Sequence, residues 1–170
     1  ENLISHGYRT RDNAWYRKSF ILDPSLEGKQ LLLCFEGTAV NAEFYFNGSL
    51  MARSFSAYTE TVFDITDRAY FDGCPNVLSV YIKGFETEGW WYEGGGIYRH
   101  VWLTKTDLVS IDLYGIYACP RKLGDGKWSV ATELTVRNDH YENKRVDALL
   151  EIKDKSGETV ATGSVSGIIG

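Results

Sequence analysis

The chain has 170 residues, enough for one domain or for one domain and part of another. A net charge of −5, with 44% hydrophobic and 24% charged residues, describes an ordinary globular chain whose basic residues are scattered, so nucleic acid is not expected as a partner. No apolar run approaches the roughly 20 residues that a helix needs to cross a bilayer, so no membrane partner is expected either.

In chain order, Trp15 to Leu22 alternates, with Tyr16, Lys18, Phe20 and Leu22 on one side and Trp15, Arg17, Ser19 and Ile21 on the other, a β-strand with two unlike faces. Asp23-Pro24-Ser25 stops it, because proline donates no ladder hydrogen bond. Gln30 to Phe35 is a short continuous apolar run, read as a buried sandwich strand. Ala42 to Phe46 and Leu50 to Phe55 flank Asn47-Gly48, a pair suited to two-residue hairpin turns because both positions adopt positive φ. Thr59 to Ile65 is a further strand, after which Asp64-Ile-Thr-Asp67 offers capping side chains for one short helical turn near Arg68 to Phe71. Asn76 to Lys83 and Tyr98 to Thr104 complete the first set. Many short strands without a helix-length amphipathic stretch point to a β-sandwich of jelly-roll type. Leu31, Leu33, Phe35, Phe44, Phe46, Val77, Leu78, Val80, Ile82 and Val101 are its expected core.

Beyond Thr104 the sequence becomes less aromatic and more charged. Val109 to Tyr117, Trp128 to Arg137, Val146 to Lys153 and Thr159 to Val165 read as strands, with turns at Gly124-Asp-Gly126 and Lys155-Ser-Gly157. An immunoglobulin-type sandwich needs about seven strands in about 100 residues, so these four predict a truncated one. The expected division is residues 1–106 and 107–170. The chain has no initiator Met and starts in mid-pattern, which suggests an excised fragment.

Three cysteines at wide spacing (Cys34, Cys74 and Cys119) exclude a full disulfide framework, and Cys34 in its apolar run is expected to be a small buried hydrophobe. His6, His100 and His140 lie far apart, so neither a metal nor any other cofactor is expected. Gly163-Ser-Val-Ser-Gly167 does not match the nucleophile turn of serine hydrolases, and Gly94-Gly-Gly96 lacks the Lys-Ser/Thr of a phosphate loop.

The densest stretch is Glu88-Gly-Trp-Trp-Tyr-Glu-Gly-Gly-Gly-Ile-Tyr-Arg-His-Val-Trp-Leu103. Aromatic faces with polar tips, beside carboxylates that accept hydrogen bonds from hydroxyls, are the chemistry that holds a sugar ring. A buried aromatic turn with glycines chosen for backbone freedom fits the same composition.

Trp15-Tyr-Arg-Lys-Ser-Phe20, Phe44-Tyr-Phe-Asn-Gly48, Phe63-Asp-Ile-Thr-Asp67, Asn76-Val-Leu-Ser-Val80 and Gly96-Ile-Tyr-Arg-His-Val-Trp102 follow one another in that order. Together they resemble the N-terminal sugar-binding domain of family 2 glycoside hydrolases, which include β-galactosidases, β-glucuronidases and β-mannosidases. The resemblance covers roughly residues 5–104, and the tail from about Leu108 resembles the opening of the immunoglobulin-like domain that follows in that family. It implies, independently of the strand pattern, an all-β fold: a jelly-roll-like sandwich, whose first strand falls upstream of Glu1, and then a partial immunoglobulin-like sandwich.

Glycoside hydrolysis uses two carboxyl groups flanking the scissile bond, about 5–5.5 Å apart in retaining enzymes. Glu86, Glu88 and Glu93 are close in sequence, but proximity supplies no facing geometry, and they read as solvating a loop. The resemblance implies that both catalytic glutamates belong to a later TIM barrel, and no residue here matches either. It implies substrate contacts from the loop before Gly96, at Glu88, Trp90, Trp91, Tyr92 and Glu93. Some β-galactosidases place an acidic residue about where Trp90 stands, so stacking on a sugar face replaces that contact here. Arg99 reads as a strand-edge ion pair ahead of a substrate contact. Two functions stay open: the non-catalytic N-terminal part of a retaining, β-galactosidase-like glycosidase, with carbohydrate and a downstream TIM barrel as partners, or a stand-alone carbohydrate-binding or protein-interaction sandwich.

Overall fold

The computed structural model describes residues 12–84 and 95–170. The chain divides into two compact units, Glu1–Lys105 and Thr106–Gly170.

The described part of the first unit contains β1 (Ala14–Phe20), β2 (Gln30–Phe35), β3 (Thr38–Ala39), β4 (Ala42–Phe46), β5 (Ser49–Ser54), β6 (Thr61–Asp64), β7 (Asn76–Ile82), β8 (Gly96–Ile97) and β9 (Val101–Thr106). A four-stranded sheet runs β1-β7-β4-β5, a three-stranded sheet runs β6-β2-β9, and β3 pairs with β8. Alternation along β4 buries Ala42, Phe44 and Phe46 and turns Glu43 and Tyr45 outward. The two sheets meet through aromatic rings: Phe35 of β2 lies 4.6 Å from Phe44 of β4, and Phe63 of β6 lies 5.6 Å from Phe44. Leu22, Leu31, Leu33, Ile65, Leu78, Val80 and Ile82 pack with them in this sandwich core.

Two of the expected core residues are not in it. Val77 is half-buried opposite Ser19, because the inward positions of β7 are Leu78, Val80 and Ile82. Val101 is 38% exposed on β9, which is an edge strand of its sheet. Cys34 is buried and donates to Glu60 Oε1 at 2.9 Å. Burial and that carboxylate push its thiol up to about 12, leaving it an unreactive packing group.

The Asn47-Gly48 turn forms with φ of 47° and 82°, both in the left-handed region the pair suits. Asn47 also ties the hairpin to distant chain. Its amide donates to the Arg68 carbonyl at 2.6 Å and to Asn76 Oδ1 at 2.9 Å, while its oxygen accepts from the Val77 amide at 2.8 Å. Fully buried Asn76 accepts from the Tyr70 amide at 2.8 Å and donates to the Tyr70 carbonyl at 2.9 Å. The helical turn is a 3₁₀ turn at Thr66–Arg68, two residues earlier than expected. Asp64, just before it, accepts from the Thr66 amide at 2.8 Å, which turns the chain into it.

The second unit has four strands: β10 (Val109–Gly124), β11 (Lys127–Asn138), β12 (Lys144–Lys153) and β13 (Thr159–Ile169). They form two separate two-stranded ribbons, β10-β11 and β12-β13, a partial sandwich. β10 runs well past Tyr117, because a two-stranded ribbon tolerates Pro120. Its register shifts between Ile111 and Ile116, where Tyr114 has φ 58° and a Cβ on Gly115 would lie 2.7 Å from the Thr135 carbonyl oxygen. That close approach requires glycine. The ribbons leave an apolar cleft of about 580 Å³, lined by residues such as Ile116, Val130 and Leu134 on one and Val146, Ala148 and Leu150 on the other.

Candidate functional site

Glu88, Trp90, Trp91, Tyr92 and Glu93 lie outside the described residues, but the scaffold that flanks them is defined. β7 ends at Ile82, two residues before Gly84, and β8 begins at Gly96 after Gly95. A Cβ on Gly95 would stand 3.6 Å from the Gly84 Cα, so the two strands that bracket residues 85–94 meet at one point. A Cβ on Gly84 would stand 2.6 Å from the Asp12 carbonyl, and one on Gly96, whose φ is 147°, 3.0 Å from the Tyr16 hydroxyl. Glycine at these positions allows three strands to converge where a side chain would force them apart.

The partner of this corner is the chain from Glu36 to Ala39. Thr38 pairs with Ile97 and Ala39 with Gly96. The Tyr98 ring lies against Gly37, where a Cβ would come within 2.7 Å of it, and its hydroxyl donates to the Ala57 carbonyl at 2.6 Å. Arg99 holds its guanidinium 5.3 Å from the centre of the Tyr98 ring, a cation–π contact. This is its contact among the described residues; the carboxylates of the loop with which the sequence suggested an ion pair lie outside them.

One cluster at this corner has no local sequence signature. Glu36 accepts from the Trp102 indole at 2.7 Å and faces His100 Nδ1 at 3.2 Å, while the His100 and Trp102 rings stack at 5.2 Å. The indole hydrogen bond first, and then His100, hold the Glu36 carboxyl below the usual carboxylate range. The result is an ionised acceptor fixed between two rings and open to solvent, able to take a hydroxyl or a cation but not to act as an acid near neutral pH. Glu36 and Trp102 are 66 residues apart, and only the pairing of β2 with β9 brings them together. Alternation along Val101–Thr106 would have put His100 and Trp102 on one face, but nothing in the sequence names Glu36 as their partner. Among the described residues no group of three or more His, Cys, Asp or Glu could hold a metal ion.

No family model matches the chain. The chain is 33% identical to a β-galactosidase of Bacteroides ovatus over 90% of its own length and 18% of that protein. It is 27% identical to a β-glucuronidase of Formosa agariphila over 93% of its length and 19% of that protein. Its fold superposes on a family 2 glycosyl hydrolase of Bacteroides cellulosilyticus with a TM-score of 0.88 and 28% identity, covering 96% of this chain and 22% of that one. The chain thus spans about a fifth of the length of the relatives it matches. In sequence and in fold it is similar to the N-terminal β-sandwich segment of family 2 glycosyl hydrolases.

Proposed function

We propose that this chain is the non-catalytic N-terminal portion of a retaining β-glycosidase, β-galactosidase-like, that hydrolyses terminal β-linked sugars as a whole protein. The observation that carries this reading is the 33% identity to a β-galactosidase sustained over 90% of the chain. Residues 1–106 then serve as the sugar-binding sandwich and residues 107–170 as the opening of an immunoglobulin-like domain. The partners are carbohydrate and a TIM barrel downstream in the same parent chain, which supplies both catalytic carboxylates. Glu88, Trp90, Trp91, Tyr92 and Glu93 reach the sugar from the corner where Gly84 and Gly95 meet, the rings by stacking and the carboxylates by accepting from hydroxyls.

The 170 residues alone should not cleave an aryl β-galactoside or an aryl β-glucuronide. Robust hydrolysis by them, abolished by Glu88→Gln or Glu93→Gln, would overturn the non-catalytic reading. In the whole protein, Trp91→Ala should lower kcat/KM by about 1–3 kcal/mol of transition-state binding with melting unchanged. A loss of about 3–5 kcal/mol in stability instead would make Trp91 a core residue. The stand-alone module reading requires the gene to stop near Gly170, whereas a barrel carrying an Asn-Glu pair at a strand end excludes it.

A further inference from the structure

The turn between β4 and β5 carries a chemistry that its folding role does not use. Asparagine is a thermolabile residue, and most so before glycine, where no side chain shields the next backbone nitrogen. Asn47 is the one asparagine of the chain that precedes a glycine. Gly48 is exposed, and a Cβ on it would meet nothing within 4 Å, so water reaches the turn. In deamidation the Gly48 nitrogen bonds to Asn47 Cγ, the Cγ–Nδ2 bond breaks, and Nδ2 leaves as ammonia with the Gly48 proton. Water then opens the succinimide at either carbonyl, giving aspartate or isoaspartate.

The folded turn opposes the first step. The Asn47 backbone amide donates to the Val77 carbonyl at 2.9 Å. Its Nδ2 donates to the Arg68 carbonyl and to Asn76 Oδ1, while its Oδ1 accepts from the Val77 amide. A side-chain amide held at both its nitrogen and its oxygen cannot swing onto the Gly48 nitrogen until those bonds open. The product, in turn, does not fit where the amide was. Aspartate has an oxygen in place of Nδ2, and a carboxylate donates nothing. It would face the Arg68 carbonyl and Asn76 Oδ1, both acceptors. Asn76 cannot turn its own amide to help, because its Oδ1 accepts from the Tyr70 amide and its Nδ2 donates to the Tyr70 carbonyl. The Arg68 guanidinium donates to Ser49 Oγ at 3.3 Å, so drawing it to the new charge means giving up that bond.

We propose that Asn47 is a deamidation site gated by the hairpin: the closed turn suppresses ring closure, opening permits it, and the acidic product keeps the turn from closing as before. Peptide mapping by mass spectrometry tests the gate on the 170-residue chain aged in mildly alkaline buffer, folded and in urea. Conversion at Asn47 should be about tenfold slower or more in the folded chain, because the reactive pose requires local opening. Equal rates in the two solvents would overturn the proposal, and this comparison needs no variant. The product is tested by making it directly. Asn47→Asp should lower the melting midpoint further than Asn47→Gly, which keeps the positive φ and loses the same hydrogen bonds but sets no charge against Arg68 and Asn76. Deamidated chains, separated from the parent by their extra negative charge, should melt at the lower temperature too. A midpoint for Asn47→Asp equal to or above that of Asn47→Gly, or deamidated chains that melt with the parent, would overturn the one-way character of the switch.

Discussion

The two units build with the same device and reach different ends. In both, alternating strands put apolar side chains on one face. In the first, a second sheet covers that face: Phe35, Phe44 and Phe46 are at most 1% exposed. In the second, the ribbons β10-β11 and β12-β13 carry comparable residues that remain in water, with Ile116 at 59%, Trp128 at 59% and Val130 at 37%. Patterning assigns a residue to a face, but only an opposing layer converts the face into a core.

That contrast is easiest to break at its strongest point. Phe44→Ala should cost about 3–5 kcal/mol, because it removes a ring that both Phe35 and Phe63 touch across the sandwich. Chemical denaturation measures it, and a loss below 1 kcal/mol would mean the two sheets are not held by that ring. Asn76→Ala should cost about 1–3 kcal/mol by leaving the Tyr70 amide and carbonyl without their partner inside the fold. Ile116→Ala in the second unit, by contrast, should stay within about 0.5 kcal/mol. A loss as large as that of Phe44→Ala would show that the exposed ribbon face is covered in solution. Amide hydrogen exchange offers the same comparison without mutation, and β10 to β13 should exchange faster than β2, β4 and β7.

The smallest expected effect is a titration. Glu36 and Glu43 are both held below their ordinary value of 4.5 in the folded chain, Glu36 chiefly by the Trp102 indole and Glu43 chiefly by the Tyr45 phenol. A carboxyl whose folded value is depressed stabilises the fold above its unfolded value and loses that contribution as pH falls through the folded one. Stability should therefore be flat through neutral pH and decline below about 4.5, and Glu36→Gln together with Glu43→Gln should flatten the decline. An unchanged acid limb in that double variant would remove both carboxylates from the account.

Much of the fold was legible because its signals are local. Gln30–Phe35 and Ala42–Phe46 are bounded by their own patterns, and Asn47-Gly48 is a turn by its own chemistry. The misses share a physical cause. Val77 and Val101 are apolar and sit in strands, but which side of a strand is covered depends on a sheet elsewhere in the chain. Tyr98 to Thr104 read as one strand, whereas β9 begins only at Val101 because Tyr98 turns in to meet Gly37 and Ala57. Glu36 was invisible for the same reason: its partners arrive through pairing across more than 60 residues. The aromatic loop was read as sugar-holding chemistry from composition and order, and that reading stands as a proposal, because Glu88 to Glu93 lie outside the described residues.

A hairpin tip is ordinarily where a protein engineer adds sequence, since an exposed two-residue turn has little to lose. The tips of this chain are not equivalent in that respect. At Gly124-Asp-Gly126 the glycines face open space, and an inserted epitope or spacer would disturb only the end of one ribbon. At Asn47-Gly48 a single amide side chain fastens the turn to Arg68, Asn76 and Val77, so lengthening it by even one residue would move that amide away from all three. The shorter loop acts as a clasp between segments about 20 and 30 residues downstream, and its length is constrained by what it fastens rather than by the strands it joins.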